Sequence, residues 1–90
     1  MNSIYNQQFW RPDISYISNL PRRQQRLIIG QYLFPLVYNI YPNLMPHKLT
    51  DILLDINSLS ALIAMINDPI YFQTKLDQAV NVLKIYYGIM

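Results

Sequence analysis

The side chains that could support catalysis or hold a metal ion are few and widely spaced. His47 is the only histidine and cysteine is absent, so the chain cannot assemble the histidine and thiolate ligands that zinc requires. No serine lies in a G-x-S-x-G turn that could use His47 as its base. Asp51 and Asp55 are spaced to share a helix face, where a general acid and base could pair, but an isolated surface pair of this kind is usually only solvated. We therefore expect no enzymatic activity, no metal ion and no cofactor.

A cluster of arginines is the other feature that could carry a function. Arg22, Arg23 and Arg26 fall in the first turns of a predicted helix, where the macrodipole disfavours each positive charge by about 0.3–1 kcal/mol. An acidic partner or an RNA phosphate could compensate, or solvent could surround an exposed helix end. The net charge of +2 is well below that of a domain that mainly grips phosphates. We interpret the cluster as a solvated basic face and expect no direct binding of nucleic acid.

The composition predicts one folded domain. A chain of 90 residues with 52% hydrophobic content can bury a single core. Its longest apolar-rich run, residues 27–41, is interrupted by polar residues and is shorter than the ~20 residues that span a bilayer. The first residues show neither the basic nor the apolar region of a secretory signal. We expect a cytoplasmic protein without a membrane segment.

Hydrophobic periodicity predicts an all-α fold. Residues 1–12 lack any period and are predicted to be a flexible lead-in, residues 13–87 are predicted to form the domain, and residues 88–90 a short tail. Asp13, Asn57 or Ser58, and Asp68 are suitable N-caps, and Gly88 can end the last helix. The five predicted helices occupy residues 14–18, 21–41, 46–56, 59–66 and 69–87.

The long second helix carries apolar residues on two faces. One predicted stripe contains Leu27, Gly30, Phe34, Val37 and Tyr41, and the other contains Ile29, Leu33, Leu36 and Ile40. Because a surface helix normally shows one such stripe, the second face must either pack centrally or bind a ligand. Pro35 removes a backbone donor and is expected to bend this helix.

Three segments resemble one known family. Residues 48–56, K-L-T-D-I-L-L-D-I, resemble the signature K-I-T-G-M-L-L-E-I of the MLLE (PABC) domain at the C-terminus of poly(A)-binding proteins. Upstream, residues 30–37, G-Q-Y-L-F-P-L-V, resemble its G-E-R-L-F-P-L-I. Downstream, residues 75–83, K-L-D-Q-A-V-N-V-L, are similar to its K-V-D-E-A-V-A-V-L. The resemblance covers about residues 13–87.

The resemblance implies a right-handed superhelix of five short to medium helices that binds short extended peptides. In the family these peptides are the PABP-interacting motifs of translation and mRNA-turnover factors, which carry a leucine and a phenylalanine. It thus implies a monomeric adaptor that recruits such factors to a poly(A)-binding protein on mRNA. The family's peptide-contacting positions correspond to Gly30, Gln31, Phe34, Lys48, Leu53, Asp55, Met65 and Tyr86.

The groove implied by this resemblance centres on the second helix. Gly30 leaves a dent in an apolar stripe where a peptide phenyl ring could approach the backbone, with Phe34 as a wall and Leu53 facing it. Core packing is the alternative role for these apolar residues. Two glutamates of the family are replaced by Gln31 and Asp55, a glycine by Asp51 and a histidine by Tyr86, so we expect a changed peptide preference.

Three alternatives stay open. The same module occurs in HECT-type ubiquitin ligases, which the flanking domains would distinguish. A small RNA-binding helical protein that uses the arginine cluster is a less favoured reading. Trp10-Arg11-Pro12 has the aromatic-x-proline form with which PABP-interacting motifs end, so it could dock in a neighbour's groove, although a linker remnant is the favoured interpretation.

Overall fold

A computed structural model describes residues 14–88 as five α-helices joined by short connections. No strand occurs within that range, and the all-α expectation is confirmed. Asp13, the predicted lead-in and its Trp10-Arg11-Pro12 motif lie outside the described residues. The helices are α1 (Ile14–Ser18), α2 (Arg22–Ile40), α3 (Pro46–Ile56), α4 (Leu59–Asn67) and α5 (Pro69–Tyr87).

Local sequence signals set three of the helix ends. Ser58 accepts a hydrogen bond from a backbone N–H of the first turn of α4 at 3.2 Å. The carboxylate of Asp68 accepts two such bonds at the start of α5, at 3.0 and 3.2 Å, and Pro69 follows as the first helical residue. Gly88 ends α5 in the left-handed conformation, with φ 64°. The caps predicted at these positions are confirmed.

The residue before α3 has an unusual backbone conformation. Met45 adopts a left-handed conformation with φ 49°, which is uncommon for a residue with a long side chain, and Pro46 then begins the helix. A residue before proline is disfavoured in the right-handed helical region, so the chain turns sharply here and α3 starts abruptly. This turn places His47 in the first turn of α3, next to the long helix α2.

The core is shared among all five helices. Helix α3 packs against both α2 and α5, and α4 packs mainly against α5 while also contacting α2. Burying such a set of aliphatic side chains supplies the main driving force for folding in a chain without disulfides. The fully buried side chains that define this core are Ile17, Ile29, Leu33, Val37, Leu49, Leu53, Met65, Leu76 and Leu83.

Helix α2 buries one stripe, and its membership corrects the predicted pattern. Ile29, Leu33 and Val37 are each 0% exposed and follow an i, i+4, i+8 spacing. Val37 therefore belongs to the core stripe, while Leu36 and Ile40, which were predicted to lie on the same stripe as Leu33, are about two-fifths exposed. The difference arises because positions three and four apart both lie near one face, and only packing decides between them.

Each helix within residues 14–88 is too short or too polar to cross a membrane. Helix α2 runs through Pro35 without ending there. Because proline has no backbone N–H, the carbonyl of Gln31 cannot accept the hydrogen bond that an ordinary helix would provide.

Candidate peptide-binding groove

An open groove of about 450 Å³ runs between α2 and α3. Gly30, Phe34 and Pro35 line it from α2, and Leu54 lines it from α3. Its volume lies in the range of sites that enclose a side chain or small ligand. The remaining lining residues are Arg26, Leu27, Gln31, His47, Thr50 and Asp51.

The floor of the groove is formed where Gly30 meets Leu54. A Cβ atom placed on Gly30 would lie 3.5 Å from Cδ1 of Leu54, which is ordinary van der Waals contact. The absence of a side chain at Gly30 therefore opens a recess about the size of a methyl group above an apolar surface. The sequence predicted that Leu53 would face Gly30. That prediction is wrong, because Leu53 is 0% exposed and points into the core, while its neighbour Leu54 reaches the groove.

Two aromatic rings wall the groove. The half-buried Phe34 stacks on His47, with ring centroids 4.3 Å apart and an angle of 21° between the planes. Tyr38, one turn further along α2, lies 5.9 Å from Phe34 in a tilted arrangement. Offset and tilted contacts of this kind stabilise aromatic pairs and leave ring faces and edges available to a further ring. We refer to the part of the groove around Gly30, Phe34 and His47 as the aromatic half.

The groove continues along α2 toward its N-terminus. A second open region of about 530 Å³ is lined by Arg22 and Arg23 together with four residues that also line the aromatic half. We refer to this part as the basic half. The four shared residues, which make the two halves one continuous surface, are Arg26, Leu27, Asp51 and Leu54.

One ion pair bridges the helices beside the groove. The guanidinium of Arg26 lies 2.8 Å from a carboxylate oxygen of Asp55. Both side chains are partly exposed, at 34% and 62%, so solvent screens the pair and its contribution to stability is small. The pair does fix the direction of Arg26, which lies between the two halves.

The eight residues predicted from the sequence do not all meet at this groove. Gly30, Gln31 and Phe34 line it, and Asp55 lies beside it through its ion pair. Leu53 and Met65 are 0% and 1% exposed and belong to the core beneath this surface.

Two predicted residues, Lys48 and Tyr86, lie on α3 and α5 away from the groove lining. Lys48, in the first turn of α3, places its Nζ atom 6.0 Å from the ring of Tyr87 near the end of α5. Tyr86 is 79% exposed on α5. Neither residue lines the groove between α2 and α3. Their placement on α3 and α5 puts any contact they make with a peptide outside the aromatic half.

Sequence reasoning did not assign His47, Leu54 or Leu27 to this site. The stacking of His47 on Phe34 depends on the turn at Met45, which the sequence pattern does not predict. Leu54 follows Leu53 directly, and the rotation of α3 decides which of them faces α2. Leu27 did carry a signal, since it lies one turn before Gly30 on the predicted stripe, and it is 59% exposed in the groove.

The groove combines three kinds of surface. Its floor is apolar, its walls are aromatic and its rim carries charged side chains. Within residues 14–88, no three histidine, aspartate or glutamate side chains come together to hold a metal ion.

A family model described as the MLLE domain matches residues 16–83, which is most of the chain and includes every helix that forms the groove. A search of the solved structures finds no match.

Proposed function

The chain belongs to the MLLE domain family, whose members are peptide-binding modules, and we propose that its groove between α2 and α3 binds short extended peptides through an aromatic side chain. In this proposal the module recruits proteins that carry PABP-interacting motifs to a poly(A)-binding protein on mRNA, in the cytoplasm and as a monomer.

The recess above Leu54 is the observation that carries the proposal. A phenyl ring that enters it can approach the α2 backbone closely, because Gly30 has no side chain to hold it away. The stacked rings of Phe34 and His47 then offer an edge and a face to that ring. This combination of an apolar floor, aromatic walls and a polar rim is typical of a site for a single apolar anchor.

The remaining predicted residues are proposed to serve the rest of the peptide. Gln31 lines the groove, and in this proposal its side chain hydrogen-bonds the peptide backbone. Asp55 lies beside the groove through its ion pair with Arg26, and Lys48 and Tyr86 lie on α3 and α5. A peptide that crosses α3 from the groove would meet them. Leu53 and Met65 would act from beneath, by holding α3 and α4 in place.

The expected affinity is modest. Burying one phenylalanine and one leucine contributes roughly 1.5–3 kcal/mol each, from which the entropy of ordering an extended peptide must be subtracted. Each polar contact along the rim adds little to the binding free energy. Binding should therefore be reversible, as suits an adaptor that exchanges partners.

Titration of the isotope-labelled chain with a peptide carrying both anchors tests the proposal by NMR. We expect the largest shifts at Gly30, Phe34 and Leu54, and loss of binding when the peptide phenylalanine is replaced by alanine. Phe34→Ala should weaken binding at least about 10-fold, since it removes one wall of the recess. Tyr71→Ala is the matched control, because Tyr71 is a half-buried aromatic residue on α5 that does not line the groove. Shifts confined to other surfaces would contradict the proposal.

A further inference from the structure

We propose that the basic half of the groove binds acidic residues of the same peptide, a few positions away from its aromatic anchor. This inference rests on the proposed function, because it assigns the charge of the peptide segment that lies next to the anchor.

The first observation is the continuity of the surface. The basic and aromatic halves share Arg26, Leu27, Asp51 and Leu54, so a peptide seated over Gly30 can continue along α2 without leaving the groove. Leu27 is an aliphatic side chain that is 59% exposed, and it gives this path an apolar floor.

The second observation is that Arg22 and Arg23 form no ion pair within the part of the chain that the structure describes. Arg26, by contrast, is held by Asp55. Helix α2 has no acidic residue in its first turn and no side-chain cap at Pro21. The helix macrodipole adds positive potential at this same end. The positive potential at this end of α2 would therefore attract a bound anionic group.

The distance between Arg23 and Gly30 along α2 predicts how far the acidic residues lie from the aromatic anchor of the peptide. Arg23 and Gly30 are seven residues apart on one helix, which corresponds to about 10 Å along its axis at 1.5 Å per residue. An extended peptide covers that distance in about three residues, at roughly 3.3 Å each. The acidic residues should therefore begin about three positions from the aromatic anchor, on one side of it.

A carboxylate-bearing peptide fits these features better than RNA does. Asp51 lines both halves and repels any anion, which disfavours a phosphate at every nucleotide more than a peptide with carboxylates at one or two positions. Arg22 and Arg23 and the net charge of +2 supply little of the counterion release on which RNA binding depends. The apolar floor at Leu27 suits a peptide segment that also carries aliphatic side chains.

The test compares fluorescein-labelled peptides that share the leucine and phenylalanine anchors. One set carries glutamates about three positions from the phenylalanine, on either its N-terminal or its C-terminal side, and the reference carries glutamines there. Affinities for the full 90-residue chain are measured by fluorescence anisotropy at low and high salt. We expect glutamates on one side to tighten binding about 3- to 10-fold at low salt, and we expect this gain to shrink as salt is added.

Variants assign the effect to the basic half. The double substitution Arg22→Gln and Arg23→Gln should abolish the difference in affinity between the glutamate and glutamine peptides. Lys75→Gln with Lys84→Gln removes the same charge from α5, away from the groove, and should preserve the gain.

The outcomes separate this inference from the proposed function. If the glutamine peptide does not bind, the proposed function fails. If it binds and glutamate adds nothing on either side, or if the gain survives in the double arginine variant, the inference is wrong while the proposed function stands. An oligoadenylate RNA that binds the chain more tightly than the glutamate peptide, and loses that binding in the arginine variant, would overturn the inference in favour of RNA.

Discussion

Replacing Gly30 by alanine should stabilise the fold and weaken peptide binding at the same time. Gly30 lies inside α2, where glycine is less favourable than alanine by about 0.5–1 kcal/mol. The new methyl group would meet Leu54 Cδ1 at 3.5 Å, a normal contact that requires no displacement. The free energy of unfolding should therefore rise by about 0.5–1 kcal/mol, which corresponds to a gain in Tm of about 2–8 °C for a domain of this size.

The same methyl group should occupy the recess that the proposed aromatic anchor needs. If the phenyl ring can no longer approach the α2 backbone, about half of its burial is lost. This loss amounts to about 0.8–1.5 kcal/mol of binding free energy, or about a 4- to 13-fold weaker Kd. The opposite signs of the two effects matter because a variant that merely unfolds would lose both stability and binding.

Urea denaturation measures the first effect and fluorescence anisotropy with a labelled peptide measures the second. Ala64→Gly is the matched control, since it makes the reverse change at an exposed position of α4 that does not line the groove. It should lower stability by about 0.5–1 kcal/mol and leave Kd unchanged. Unaltered peptide affinity in Gly30→Ala would refute the placement of the ring over Gly30. A loss of stability would refute the packing of Gly30 against Leu54.

Three further predictions concern the elements that hold the groove in place. Asp68→Ala removes the carboxylate that caps α5 and should lower the free energy of unfolding by about 1 kcal/mol in urea denaturation, whereas an unchanged midpoint would mean that the cap is redundant. Leu76→Ala, at a fully buried position, should cost about 2–5 kcal/mol in the same assay, and a cost under about 1 kcal/mol would contradict the core packing. A double-mutant cycle on Arg26 and Asp55 should give a coupling below about 1 kcal/mol because solvent screens the pair, and a larger coupling would show that its exposure has been overstated.

The helices could be predicted from the sequence because their signals are local. Asp68, Pro69 and Gly88 define the ends of α5 through hydrogen bonds and backbone preferences within a few residues of each end. The periodic spacing of aliphatic residues likewise depends only on the geometry of one helix. None of these features depends on how the rest of the chain packs.

The groove could be predicted only in part because its details depend on how helices rotate against each other. Leu53 and Leu54 are adjacent, and about 100° of rotation separates them on the helix, so either could face α2 from the sequence alone. The packing of α3 between α2 and α5 turns Leu54, and not Leu53, toward the groove. The stacking of His47 on Phe34 depends further on the left-handed turn at Met45, which carries no local sequence signal such as glycine.

The groove side of α2 is also where the sequence departs most from what a stable helix requires. Gly30 and Pro35 both line the groove, and in the interior of a helix they cost about 1 and about 3 kcal/mol relative to alanine. The buried side of the same helix shows no such departure, since it presents only Ile29, Leu33 and Val37. Gly30 opens a recess, and Pro35 leaves the Gln31 carbonyl without its helical donor, on a surface where a peptide N–H could replace it. Destabilising residues that are confined to one face of a helix are expected where that face binds a ligand.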